Sequence, residues 1–309
     1  MADREAAATG AAASDAEGTA PQQISVRTLR DWPLPQPTGN KRSRGQLLVV
    51  GGGRSTPGAA MLAGLAGLRV GAGVLTLAVA ESVAAAVGAA VPEAGVLWLP
   101  ENSERVLDSR AVPVLADRLA KASVLLVGPG LDDPAGARAL LHRLVPELPA
   151  ELPVVIDAFA IGVLPDLEPS ARSALAGRLV LTPNETEARR LTGSGQSGAS
   201  DLGLAELRGI ADRYQAVLSC DNLVVRPDGR AWLVPAGHPG LGTSGSGDVL
   251  AGAVAGLIAR GAELDQATCW ATYLHATAGE RLAAPVGPLG FLAGELLGQL
   301  PLILAELRP

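Results

Sequence analysis

Aromatic residues are scarce in this sequence: 3% of 309 residues, with only two Phe, two Tyr and four Trp. A core for a chain of this length must therefore be packed from Ala, Val and Leu, and a hydrophobic content of 48% supplies the material. Cysteine is as rare. Cys220 and Cys269 lie far apart, form no CxxC unit and are too few for a disulfide framework, which points to a reduced compartment. The three histidines, His142, His238 and His275, are scattered and share no zinc-ligand spacing with the cysteines, so no protein-built metal site is expected. A net charge of −6 leaves no concentrated basic surface, and a nucleic-acid partner is not expected. The short run Lys41-Arg42-Ser43-Arg44 reads as a solvated loop. No apolar run reaches membrane-spanning length. The nearest, Met61 to Ala80, carries Arg69 and several glycines and changes period midway, so it reads as helix then strand. Met1 to Pro21 has neither the basic start nor the apolar stretch of a secretory signal. A disordered tail over residues 1–24 and a cytoplasmic location are expected.

Against these absences stand 38 glycines and 23 prolines, which imply many tight turns between short elements. Short apolar strands and amphipathic helices alternate from residue 46 onward. Strands are predicted at Gln46 to Val50, Val74 to Val79, Ser123 to Val127, Val154 to Ile156, Leu179 to Thr182 and Ala216 to Ser219. A hairpin, Leu223 to Val225 with Ala231 to Val234, follows around Pro227-Asp228-Gly229. Helices are predicted at Pro57 to Val70, Ala135 to Leu144, from Glu185 to Leu191, Val249 to Arg260 and Leu264 to Leu282. Strands alternating with helices build a mostly parallel sheet covered on both faces. The expected fold is a three-layer α/β/α single domain over residues 25–309, with ligands outside the carboxyl ends of the strands.

The most informative segment is Gly242-Thr243-Ser244-Gly245-Ser246-Gly247-Asp248, which runs directly into the amphipathic stripe Val249, Leu250, Ala253, Val254, Leu257 and Ile258. The first turn of a helix has unpaired N–H groups and favours negative charge. Glycines let the backbone approach a phosphate closely. Asp248 then stands beside the phosphate site, where a carboxylate accepts the proton of a hydroxyl that attacks phosphorus. The plainer reading is that Asp248 only caps the helix. A run of glycine and hydroxyl residues exceeds what capping needs, and this favours chemistry. No Walker lysine follows the glycines, and Gly51-Gly52-Gly53 lacks the last glycine of a dinucleotide fingerprint, since Thr56 stands there.

These segments occur in a familiar order. Val49 to Gly53, Thr56-Pro57-Gly58-Ala59-Ala60, Gly128-Pro129-Gly130-Leu131, Asp157-Ala158, Thr182-Pro183 with Glu187, Pro227-Asp228-Gly229 and Gly242 to Gly252 together resemble the NAD(P)H-hydrate dehydratases of the ribokinase-like superfamily. The resemblance covers roughly Thr38 to Leu304. It implies an enzyme that uses ADP or ATP, with Mg²⁺, to phosphorylate the ring hydroxyl of hydrated NADH or NADPH and then eliminates phosphate. It implies Asp248 as the catalytic base. Thr243, Ser244, Gly245, Ser246 and Gly247, with Ser219 and Cys220, would bind nucleotide and phosphate. Gly58, Ala59, Gly130, Asp157, Asn184 and Glu187, with Asp248, would bind the hydrate. A homo-oligomer, often a tetramer, is implied, and no epimerase domain is expected in this length.

The sequence departs from the family in three places. Ser219-Cys220 replaces a Lys-Gly pair. Asn184 replaces a histidine within Thr-Pro-His-Pro-Gly-Glu. Phe159 replaces a second aspartate after Asp157-Ala158. Asn184 and Glu187 match the Asn-x-x-Glu of sugar kinases, so a kinase of a sugar or small alcohol is the alternative. A non-catalytic nucleotide-binding protein is the third reading, prompted by the missing lysine. His238 is a candidate nucleotide contact, and His275 reads as a packing or capping histidine.

Overall fold

The computed structural model describes residues 20–36, 39–193 and 202–308. Its frame is one ten-stranded sheet: β1 (Gln22–Gln23), β2 (Gln46–Val50), β3 (Val74–Ala80), β4 (Ala94–Leu99), β5 (Val124–Val127), β6 (Val154–Ile156), β7 (Leu179–Leu181), β8 (Ala216–Cys220), β9 (Leu223–Val225) and β10 (Ala231–Leu233). The spatial order is β1-β10-β9-β8-β7-β6-β5-β2-β3-β4. Neighbours are parallel except β8 with β9 and β9 with β10, the predicted hairpin.

Strand alternation divides the core into two layers. In β2, Leu47 and Val49 face one layer and Leu48 and Val50 the other. The first layer is covered by α1 (Val26–Asp31), α2 (Pro57–Arg69), α3 (Glu81–Ala90), α9 (Ser246–Ala259), α10 (Leu264–Val286) and α11 (Ala293–Glu306). The second is covered by α4 (Val112–Leu119), α5 (Pro134–Leu144), α6 (Pro169–Leu175), α7 (Glu185–Leu191) and α8 (Leu204–Tyr214), with a 3-10 segment at Ala158–Asp166. This is the predicted three-layer α/β/α arrangement.

Local sequence explains several element ends. Pro57 opens α2, and Pro134 opens α5 behind Asp133, whose carboxylate accepts from Gly136 N at 2.6 Å. The α2–α9 pair is bare of side chains at its crossing. A Cβ on Gly252 would lie 2.0 Å from Ala63 O, and one on Gly256 would lie 2.5 Å from Gly67 Cα. Glycine is the residue that lets these backbones meet.

The N-terminal expectation needs correction. Of the tail expected over residues 1–24, residues 1–19 lie outside the described residues, but Gln22–Gln23 pair in parallel with Trp232–Leu233. Ile24 is fully buried, Ser25 caps α1, and Trp32 stacks on Trp232 with ring centroids 5.9 Å apart. The domain therefore begins at least as early as β1. Two glutamines carry no strand periodicity, and it is the neighbouring Ile24 and Trp32 that hold them to the sheet.

Candidate active site

The loops after β2, β5, β6, β7 and β8 converge at the carboxyl edge of the sheet on the N-terminus of α9. Two of them are joined backbone to backbone. Gly52 N donates to Pro129 O at 2.8 Å and Gly53 N to Gly130 O at 2.7 Å. A Cβ on Gly51 would fall 2.0 Å from Pro129 O, so close approach explains the first glycine run. Thr56 Oγ1 donates to Gly130 O at 3.1 Å and adds a third tie.

The glycine loop reaches α9 through Gly245, at φ 87°, which stands at the N-cap position. Asp248 is therefore in the first turn and does not cap the helix: no side-chain cap bond is made here. The N–H groups of Gly247 and Asp248 make no hydrogen bond among the described residues, which leaves donors for an anion at the positive end of α9. Ser246 is buried, and its hydroxyl lies 2.8 Å from His275 Nε2, which also lies 3.0 Å from Ser246 O. Burial drives the His275 pKa down to about 4, so the ring is neutral at physiological pH. His275, read from sequence as a packing or capping residue, thus ties the glycine loop to α10. No local motif marks it, because the contact spans 29 residues.

Asp248 separates two cavities. The first, about 690 Å³, is lined by Asp157, Asn184, Glu187, Ser219, Asp221, His238, Ser246, Gly247 and Asp248, with no Lys or Arg among the described residues of its wall. The second, about 650 Å³, is lined by Thr56, Gly58, Ala59, Gly130, Phe159, Arg190, Ser244 and Gly245, and again by Glu187 and Asp248. Burial first, and the Glu187 carboxylate second, raise the Asp248 pKa to about 6. Burial also raises Glu187, against the opposing effects of Asn184 N and Arg190. Asp157 is buried and accepts from Thr182 Oγ1 at 2.6 Å. Burial, together with Asp248 and Glu187, still holds its carboxyl well above the usual range. Burial raises all three carboxyls, Glu187 adds to Asp248, and both add to Asp157, so the cluster favours retained protons until a cation offsets the charge.

The expected binding residues sort differently from the expectation. The hydrate group divides: Gly58, Ala59 and Gly130 line the second cavity, Asp157 and Asn184 the first, and Glu187 and Asp248 both. The phosphate group divides as well. Ser244 and Gly245 face the second cavity, Ser246, Gly247 and Ser219 face the first, and Thr243 lines neither. Cys220 is a correction. Ser219 points toward α10, where its hydroxyl lies 3.0 Å from Thr272 Oγ1, so strand alternation sends Cys220 into the opposite core layer at 2% exposure. Its thiol is pushed up to about 12 by burial, and it does not reach the cavity. Asn184 and Glu187 form a reciprocal capping box, with Glu187 N donating to Asn184 Oδ1 at 2.9 Å and Asn184 N to Glu187 Oε2 at 3.0 Å. Helix capping thus accounts for the Asn-x-x-Glu spacing that had suggested a sugar kinase. Asp221, Asn222 and Arg190 are cavity residues that sequence motifs did not mark.

Comparison with known proteins identifies the family. Residues 47–302 match the family model described as NAD(P)H-hydrate dehydratase. The chain is 39% identical over 287 residues to the ADP-dependent (S)-NAD(P)H-hydrate dehydratase of Xanthomonas campestris pv. campestris, covering 92% of this chain and 96% of the relative. It spans about half the length of bifunctional NAD(P)H-hydrate repair enzymes that it also matches. Among solved structures, a ribokinase-like superfamily protein from Enterococcus faecalis superposes with a TM-score of 0.79 at 23% identity, covering 93% of this chain and 96% of that one. The ADP/ATP-dependent NAD(P)H-hydrate dehydratase of Bacillus subtilis, crystallised with ATP and Mg²⁺, superposes at 0.72 with 24% identity, covering 94% and 100%. The match to the family model over most of the chain, supported by the 39% identity, makes this protein a member of the NAD(P)H-hydrate dehydratase family.

Proposed function

We propose that this chain is a hydro-lyase that dehydrates hydrated NADH and NADPH at the expense of ADP or ATP. The observation that carries the reading is the placement of Asp248: one carboxylate, raised to about 6, on the wall between two cavities and beside unpaired helix N–H groups. The first cavity takes the nucleotide and the second the hydrated ring. Asp248 accepts the proton of the ring hydroxyl as its oxygen bonds to the terminal phosphorus. The bond from that phosphorus to the nucleotide breaks, which leaves AMP from ADP or ADP from ATP. The N–H groups of Gly247 and Asp248 hold the transferring oxygens. The phosphate then leaves with the ring carbon–oxygen bond, a proton leaves the adjacent carbon, and the reduced ring is restored.

A pKa near 6 suits a base that works at neutral pH, because the group is ionised yet retains basicity. Mg²⁺ suits the nucleotide cavity. Among the described residues no cluster forms a protein cage, but Asp157, Glu187, Asp221 and Asp248 face the space and no Lys or Arg does. Magnesium is commonly held by one or two carboxylates and the phosphates themselves. When bound with the nucleotide, the ion supplies the positive charge that this wall does not. Ser219 stands at the nucleotide wall without the lysine of the family pattern, which makes the cation the main offset to phosphate charge.

The same reading makes the protein a cytoplasmic homo-oligomer without nucleic-acid or membrane partners. Among the described residues, no helix is long and apolar enough to cross a membrane. Light scattering after gel filtration reports the subunit number. Activity is tested by mixing protein, hydrated NADH or NADPH, Mg²⁺ and either nucleotide, and following absorbance of the reduced ring. Recovery that depends on nucleotide, with release of inorganic phosphate, is the expected result. A stable phosphorylated product, or no recovery with either nucleotide by folded protein, would refute the assignment.

A further inference from the structure

Nothing in the nucleotide cavity resembles the far wall of the other one. Ala158 sits at φ 50°, a left-handed conformation that is costly for a side chain bearing Cβ. The turn it makes has a visible product. Asp157, Ala160 and Ile161 are buried around it, while Phe159 is 37% exposed and lines the substrate-side cavity. The chain has only two phenylalanines, and the other, Phe291, is 1% exposed. Burial of apolar area favours a covered ring, so an aromatic face left open on a cavity wall calls for a partner.

Arg190 lines the same cavity. Its Nη1 lies 3.9 Å from the position that a Cβ on Gly162 would take, so the guanidinium rests against the segment that carries Phe159. Arg190 makes no hydrogen bond or salt bridge among the described residues, and its charge acts on the Glu187 carboxylate. Its neighbour on that wall, Arg138, is already paired with Asp166 at 2.6 Å. A planar fork of donors whose N–H groups no carboxylate holds in a hydrogen bond, on one cavity wall with an open aromatic face, matches a phosphate joined to a heteroaromatic base.

We propose that Arg190 and Phe159 form the subsite for the part of the dinucleotide beyond the reacting ring. Arg190 holds the bridging diphosphate and Phe159 stacks on the base at the far end. This rests on the assignment of the second cavity to the hydrated dinucleotide, and it names two specificity residues that act on binding, away from the reacting atoms. The pair favours whole dinucleotides over ring-bearing fragments.

The test separates binding from turnover. Fluorescence of the reduced ring is titrated with wild type, Arg190→Ala, Arg190→Lys and Phe159→Ala, using NADH and, in parallel, reduced nicotinamide riboside, which lacks both diphosphate and adenine. Wild type is expected to bind NADH more tightly than the riboside. Arg190→Ala and Phe159→Ala should each weaken NADH about tenfold, with little change for the riboside and partial recovery in Arg190→Lys. Equal weakening of both ligands, no change for NADH, or no NADH binding by wild type would overturn the subsite. Turnover of hydrated NADH is measured on the same samples. Discriminating binding without nucleotide-dependent turnover by wild type would uphold the subsite and refute the dehydratase reading instead.

Discussion

The two cavities that meet at Asp248 are close in volume, about 690 and 650 Å³, but differ in chemistry. The first is walled by carboxylates and polar loops, with no Lys or Arg among its described residues; the second joins small residues, Phe159 and the guanidinium of Arg190. In the proposed assignment, affinity for a nucleotide on the first side comes from helix N–H groups and a divalent cation. On the second side it comes from fixed side chains. Two carboxylates, Glu187 and Asp248, line both, and burial between the cavities together with the Glu187 charge raises the Asp248 pKa.

The largest way to break this division is to remove Asp248 from between the two cavities. Asp248→Asn keeps shape and loses the base, so kcat should fall by about 10²- to 10⁴-fold while nucleotide affinity measured by calorimetry is largely kept. Unchanged turnover would remove Asp248 from the proton transfer.

The next test loads each cavity separately. A Cβ added at Gly58 or at Gly247 meets nothing within 4 Å, so a larger side chain projects into open space at either place. Gly58→Leu should raise KM for the hydrate roughly tenfold and leave that for nucleotide near its wild-type value, and Gly247→Leu should do the reverse. If either variant raised both constants equally, the cavities would not be separate sites.

A smaller effect concerns pH. With the base at about 6, kcat/KM should fall as pH drops below that value. Glu187 contributes to the raised pKa through its charge, so Glu187→Gln should carry the acid limb toward lower pH. A limb that stays in place, or moves up, would show that Glu187 is not ionised beside Asp248.

The smallest effect is on stability. The native pKa of Asp248 lies above its ordinary 3.8, so the folded state binds its proton more tightly than the unfolded state does. That advantage is complete below about 3.8 and is lost as pH rises through about 6. Asp248→Asn should therefore gain Tm relative to wild type at pH 8 compared with pH 4, even as it loses activity. Thermal melts at the two pH values measure the difference.

The parts of this molecule that were legible in sequence are those encoded locally. The glycine loop entering α9, the parallel strands rich in Val and Leu, and the Pro-Asp-Gly hairpin each carry their signal within a few residues. Glu81–Ala90, Ala94–Leu99 and Leu204–Tyr214 were not predicted; half of the first is alanine, and after Glu81-Ser82 it has no polar residue to mark its period. In the site, the place of Asp248 in the first turn of α9 was legible from its position after the glycines, and the order of motifs indicated the family. The division into two cavities was not, because Asn184 and Gly130 meet opposite sides of Asp248 only once the sheet has formed. Cys220 was misplaced for a simpler reason: neighbours on a strand face opposite ways. His275 and Arg190 act through contacts or cavities that no short motif records.

The glycine crossing of α2 and α9 bears on how such an enzyme changes over generations. Asp248 rides on the first turn of α9, and Gly58 and Ala59 ride on the first turn of α2. With Gly252 set against Ala63 and Gly256 against Gly67, any side chain gained at the crossing would displace both helices together. Base and substrate wall are thus inherited as one rigid part. Evolvability is left to the loops, where Phe159 and Arg190 can vary without disturbing the carboxylate.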